Sequence, residues 1–201
     1  KYFDREILPV EGRNAEGIND LVMADEGIRF DASLDKLAGL NPVTEGGVIT
    51  AGNASQITDG AAAVMVCNDA GLKKIQANPR AEIVSISVVG DDPVFMLTGP
   101  IPASIQALKT ADLTIDDMDL YEVNEAFAPV PLAWAEELKA DKSKLNVNGG
   151  AMALGHPLGA TGAKLMTTLL HEMERRESTY GLQAICEGGG TANATILKII
   201  N

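Results

Sequence analysis

The chain has 201 residues, 46% hydrophobic and 22% charged, enough to bury a substantial core in one or two domains of a soluble globular protein. Its formal charge of −12, from 28 acidic against 16 basic residues, repels a nucleic-acid backbone or an anionic membrane, so neither is an expected partner. The longest stretch without a charged residue, Leu145 to Ala163, is broken by glycines, asparagines and a proline, and the charged start Lys1 to Arg5 lacks the apolar region of a signal peptide, so a cytoplasmic protein is expected.

Residues 1–45 are rich in acidic residues and glycine with brief apolar runs such as Ile7 to Val10. They read as a loop-rich peripheral segment or part of an incomplete neighbouring domain, and residues 46–201 as the compact unit. From there apolar runs alternate with amphipathic stretches, which predicts an α/β fold with strands backed by helices. The expected strands are Ala62 to Val66, Ile83 to Val89, Leu120 to Val123, Leu145 to Val147, Leu182 to Cys186 and Thr195 to Ile199, several rich in β-branched residues. After Pro102, helical spacing places Ile105, Leu108 and Ala111 on one face. A second helix, between Glu125 and Lys139, aligns Phe127, Val130 and Trp134, with Pro129 and Pro131 distorting its start. A third, Ala163 to Arg176, carries Leu165, Leu169, Leu170 and Met173 on its apolar side and Arg175 and Arg176 at its C-terminal end, leaving His171 on the solvated side.

The two cysteines are too few for a disulfide scaffold. Cys67 follows the apolar run Ala61 to Val66 and is expected as a small buried hydrophobe. Cys186 ends a strand and precedes Glu187, Gly188, Gly189 and Gly190. Such glycines expose a thiol and bare backbone NH groups, although an ordinary glycine turn after a structural cysteine has the same local sequence.

The densest signal is Asn148 to Gly162, reading NGGAMALGHPLGATG, where Gly155 and Pro157 flank His156. Glycines concentrate where the backbone is shaped around something, and an imidazole titrating near neutrality suits proton transfer or donation to developing negative charge. His156, Asn124 with Glu125, and Cys186 all follow strands or open helices, where ligands meet α/β sheets. A thiol with an imidazole serves nucleophilic catalysis or carbon-acid chemistry equally, and local sequence does not choose.

Asn124, Glu125, Ala126, Phe127 and Ala128, the segment Asn148 to Gly162, and Cys186 with Gly188 together resemble the C-terminal half of the thiolase family, enzymes that make or cleave β-ketoacyl-CoA thioesters. Gly52, Asn53, Ala54 and Ser55, then Asp59, Gly60 and Ala61, and Gly99 to Ser104 extend the match, which is weakest before about residue 35. The resemblance implies half of a duplicated layered fold, with a mixed β-sheet covered by helices. It implies that Cys186 is the second thiol, which moves the α-proton of the acetyl unit. By the same resemblance His156 is expected to stabilise the thioester oxygen and help activate the nucleophile, Asn124 to hold a water at the same oxyanion, and the Gly188 NH to serve the other oxyanion hole. Ala51, Ser55, Ala126 and Phe127 match positions lining the pantetheine channel. Without the family match, Ser55 and Asn124 read as turn or cap residues, Phe127 as core, and Glu125 as a helix-start acid.

By the same resemblance, coenzyme A is a substrate rather than a resident cofactor, no metal is needed, and a homo-oligomer is expected. The family's nucleophilic cysteine belongs to an N-terminal half that this chain is expected to lack. Cys67 does not replace it, and basic pairs such as Lys73 with Lys74 offer no evident site for the CoA phosphates. The expected function is therefore the C-terminal part of a thiolase-type acyltransferase, inactive alone and completed by an N-terminal half. The alternative is a non-catalytic acyl-CoA-binding or partner-binding protein, and a nucleotide-binding domain is disfavoured because no P-loop or dinucleotide fingerprint occurs.

Overall fold

Scattered apolar residues give the N-terminal stretch no common face to bury, and it carries little regular structure. In the computed structural model, which describes residues 1–14 and 16–200, it holds an antiparallel pair, β1 (Val10–Arg13) and β2 (Asn19–Val22), and two short helices, α1 (Leu34–Ala38) and α2 (Asp69–Ile75). The side chains of Ser33 and Asn68 cap these helices, accepting from the backbone NH groups of Lys36 and Gly71.

The strand expected over Ala62 to Val66 does not form, and Met65 and Val66 are 77% and 67% exposed. β-branched residues make a strand only against a ladder partner, and among the described residues none lies beside this run. Cys67 at its end is therefore exposed, not buried as expected.

The main sheet is assembled from residues beyond 80. β3 (Ala81–Gly90), β4 (Leu120–Val123), β5 (Tyr180–Cys186) and β6 (Thr191–Ile199) lie in the order β3-β6-β5-β4. β6 is antiparallel to both its neighbours, and β4 is parallel to β5. Four of the expected strands thus appear, β6 starting at Thr191 rather than Thr195. The strand expected at Leu145 to Val147 is reduced to a single parallel bridge between Leu145 and Tyr121. Asn146 turns to φ 46°, and its side-chain amide bonds both backbone groups of Val123 at 2.9 Å, standing in for the ladder a strand would have made.

One face of the sheet packs on α3 (Pro100–Ala111) and α4 (Pro129–Leu138). The buried side of α3 is Ala103, Ser104, Ala107 and Leu108, so Ile105, expected on that face, is 52% exposed. Its small residues bring the helix close enough for Ser85 and Ser87 of β3 to donate to the carbonyls of Ala107 (2.8 Å) and Ala103 (2.6 Å). Pro129 and Pro131 occupy the first turn of α4, where a missing NH is harmless, so they open the helix rather than distort it. Trp134 is fully buried with its indole NH on Ser104 Oγ at 2.8 Å, its ring 5.2 Å from that of Tyr121.

The opposite face is covered by α6 (Thr161–Arg175), reached through the single turn α5 (Ala151–Leu154). Leu169 and Met173 of α6 pack against Leu120 and Leu197. His171, expected in solvent, is 7% exposed, because the N-terminal residues lie over that side of the helix. Glu6 there accepts from Arg175 at 2.7 Å, and Tyr2 donates to the Glu172 carboxylate at 2.9 Å. Burial alone would raise the Glu172 pKa, but bonds from Asn148, Arg175, Arg176 and Tyr2 hold it down at about 2.

Candidate active site

The site forms where β4 and β5 end together. Because the two strands are parallel and in register, with Val123 opposite Ala184, the residues that follow them leave the sheet at one edge. Asn124 continues the ladder through its NH to the Ala184 carbonyl at 3.0 Å, and Cys186 is the last residue of β5. Gly188 opens the glycine turn behind it, where Gly189 and Gly190 take φ of 78° and 85°. Glu187 braces this turn, accepting from Asn193 at 2.6 Å and from Thr191 at 3.2 Å.

His156 reaches the same edge from the glycine segment. Its Nε2 lies 3.2 Å from the Asn124 side-chain nitrogen and its Nδ1 2.6 Å from Thr161 Oγ1. The Thr161 hydroxyl donates to the Pro157 carbonyl at 3.0 Å, which leaves its oxygen to accept from Nδ1–H. The imidazole therefore presents an Nε2 lone pair, which accepts from Asn124. Burial, and then the charge of Lys164, push the His156 pKa below its ordinary value, so the ring is neutral. Burial pushes the Cys186 thiol up, the Glu187 carboxylate adding to it, and the side chain is only 7% exposed. The glycines after Cys186 do not expose the thiol as expected, since β5 continues to its sulfur within the core cluster.

Two groups hold the histidine segment in place: Gln56, which carries no signal in the sequence, and Glu125, expected beside Asn124 but not as a brace. Gln56 accepts the His156 NH at 3.1 Å on its backbone and donates its amide to Gly27 O, Met152 O and Ala153 O. Glu125 accepts from Asn146 at 2.9 Å and from the Met152 NH at 3.2 Å, occupying the space a side chain at Gly150 would fill. Neither is legible without long-range contacts, whereas the Thr161 hydroxyl, five residues past His156, is within reach of a local reading.

The expected channel residues come together in part. Segment 51–55 runs beside 126–128: Ala54 bridges Phe127, the Ser55 NH bonds the Ala126 carbonyl at 3.0 Å, and the Ala128 NH the Asn53 carbonyl at 2.9 Å. Ala126 is buried and Ser55 and Phe127 half-buried, while Ala51 is exposed at the end of this pairing. An open groove of about 450 Å³ lies between Thr58–Ala62 and Pro157–Ala160, next to these residues but not including Asn124, His156 or Cys186. Among the described residues no group of three His, Cys, Asp or Glu side chains is placed to hold a metal, and no helix is long and apolar enough to cross a membrane.

With this geometry in view, the chain's relatives are unambiguous. Residues 77–199 match the thiolase C-terminal domain and residues 1–70 the thiolase N-terminal domain, and the chain belongs to the thiolase family. The expectation of a C-terminal half alone is thereby corrected: the segment before α2 carries sequence of the N-terminal domain. Over 98% of its length the chain is 55% identical to the steroid 3-ketoacyl-CoA thiolase FadA6 of Mycobacterium tuberculosis, covering 47% of that protein. It is 47% identical to the acetyl-CoA acetyltransferase of Cupriavidus necator, covering 50% of it. Among solved structures, the Bacillus anthracis acetyl-CoA acetyltransferase matches with a TM-score of 0.93 at 40% identity, and human mitochondrial 3-ketoacyl-CoA thiolase with 0.90 at 41%. Each match covers 99% of this chain and 50% of the other. The chain spans about half the length of the relatives it matches.

Proposed function

We propose that this chain supplies the acid–base and oxyanion side of a thiolase active site that forms or cleaves β-ketoacyl-CoA thioesters, with the acyl-accepting cysteine outside these residues. The observation that carries the reading is the Asn124–His156–Thr161 chain of hydrogen bonds at the edge shared with Cys186 and Gly188. A neutral imidazole whose Nε2 lone pair exchanges its hydrogen bond from Asn124 for an attacking thiol accepts that thiol's proton and then, as imidazolium, donates to the thioester oxygen. Asn124 stands beside that nitrogen to hold the water that shares the oxyanion. Cys186, kept as the neutral thiol by burial, gives its proton to the α-carbon when the Cα–Cβ bond of a β-ketoacyl thioester breaks. Running in the other direction, its thiolate takes that proton back. The NH of Gly188, with no side chain over it, serves the second oxyanion.

In this reading Ala51, Ser55, Ala126 and Phe127 line the path of the pantetheine arm, coenzyme A is substrate rather than resident cofactor, and no metal takes part. The partners are the rest of a thiolase N-terminal half and further copies in a homo-oligomer, in the cytoplasm. The loop-rich segment 1–45 is peripheral to the 46–201 unit. The test is steady-state thiolysis of a 3-ketoacyl-CoA by the chain alone and with the remaining thiolase sequence. Turnover is expected only with that sequence, and its loss in Cys186→Ala. Turnover of the chain alone that survives Cys67→Ala but not Cys186→Ala overturns the reading.

A further inference from the structure

A buried acid that the proposed chemistry does not use sits directly behind the site. Residues two apart on a strand share a face, so Leu120, Glu122 and Asn124 all turn toward α6, where Leu120 packs on Leu169 and Met173. Glu122 lies in register with Gln183 on the parallel neighbour β5, about 4.8 Å away across the ladder, with both side chains on one face. Both are buried, 2% and 3% exposed. Each presents an oxygen with no hydrogen-bond partner, Oε2 of Glu122 and Oε1 of Gln183. Two orphaned acceptors side by side are costly for a carboxylate, and a carboxylic acid removes the cost by donating its O–H to the amide oxygen.

The charged surroundings favour that protonated form. Lys164 of α6 faces Glu122, yet among the described residues the two form no ion pair, and the ammonium lies instead 3.5 Å from the Gly155 carbonyl. The other groups acting on Glu122 are acidic: Glu125 just past β4, Glu172 on α6 and Glu6 in the N-terminal segment, with Asp25 facing Lys164. Burial first, and then Glu125, raise the pKa of Glu122 to about 8.

We propose that Glu122 is a positioning residue that works as a neutral acid: it donates its proton to Gln183, braces the strand pair under Asn124, and adds no counter-charge of its own to Lys164 beside His156. An anion at Glu122 would oppose Lys164 and raise the histidine pKa, whereas the neutral acid leaves His156 a free base. The last step rests on the reading of His156 given above.

The test uses the full-length thiolase that carries this chain. Glu122→Gln keeps the size and the hydrogen-bonding capacity of the acid but cannot ionise. It is expected to retain kcat within about twofold and to leave the acid limb of the kcat/KM profile in place, while Glu122→Ala loses at least about tenfold in kcat. A carboxylic C=O stretch is expected at neutral pH in the infrared difference between parent and E122Q. An acid limb displaced to lower pH in E122Q means that an anion has been removed from beside His156, and it overturns the proposal, as does the absence of the infrared band. Full activity in Glu122→Ala overturns the positioning role. If Glu122→Ala fails to fold, the Gln variant and the infrared band still decide. An enzyme that carries the band but shows no thiolysis leaves Glu122 assigned and refutes the functional reading instead.

Discussion

The Asn124 amide and the His156 Nε2 meet at 3.2 Å, and the Thr161 hydroxyl at the far side of the ring determines which of the two nitrogens carries the hydrogen. A strand end, a glycine segment and a helix start thus share one imidazole. Asn124→Ala removes the donor at the nitrogen proposed to take and return a proton. In the full-length enzyme it is expected to cut kcat about 100-fold, the loss seen when one preorganised oxyanion donor is deleted. A steady-state assay giving parental kcat contradicts the role proposed for Asn124.

The two thiols should differ in reactivity in a direction opposite to that implied by their sequence neighbourhoods. Cys67 is exposed, and Cys186 is buried with its thiol held in the neutral form. Iodoacetamide at mildly alkaline pH is expected to label Cys67 at least about tenfold faster than Cys186, followed by peptide mass spectrometry. Equal rates would mean that the β5 end opens readily.

Glu172 makes stability depend on acid. Its folded pKa of about 2 lies below its ordinary 4.5, so its contribution is fully present above the ordinary value and disappears as pH falls through about 2. Denaturation midpoints measured along that descent should fall more steeply for the parent than for Glu172→Gln. At neutral pH the variant should be less stable by about 3 kcal/mol, because it leaves Arg175 and Arg176 short of their buried partner.

Gly155 holds the conformation that delivers His156. Its φ of 86° and ψ of 163° belong to a region that is open essentially to glycine alone, and a Cβ there would run into the Thr58 side chain. Gly155→Ala is expected to cost about 1–3 kcal/mol in denaturant titration and to lower kcat more than it raises KM, since it displaces the proposed base, His156, rather than the proposed substrate path. A change confined to KM would argue for a channel role.

What the sequence revealed of this fold depended on how local each signal was. β4, β5 and α6 follow from apolar periodicity, and the His156 segment from its glycines, because those residues carry their own geometric demands. Met65 and Val66 have as strong a strand signal, yet strands need partners and the described residues supply none beside them. Leu145 and Val147 read as a strand but form only a bridge, since the Asn146 amide satisfies Val123 in place of a ladder. His171 looks like surface on a helical wheel and is covered only because the chain's first residues return over α6. Cys186 could be located but not its burial, which depends on the packing of β5 rather than on the glycines that follow.

The alanine and serine seam between α3 and the sheet has its own consequence. Ser85 and Ser87 reach helix carbonyls only because Ala103 and Ala107 are small, and a side chain at Gly99 would strike the Cβ of Ala192. The seam is already at contact distance, so added bulk wedges helix and sheet apart instead of filling a gap. Tolerance along this one helix should therefore be lopsided: a single extra methyl is resisted at Ala103, while at Ile105, on the outward side, almost any side chain is accommodated.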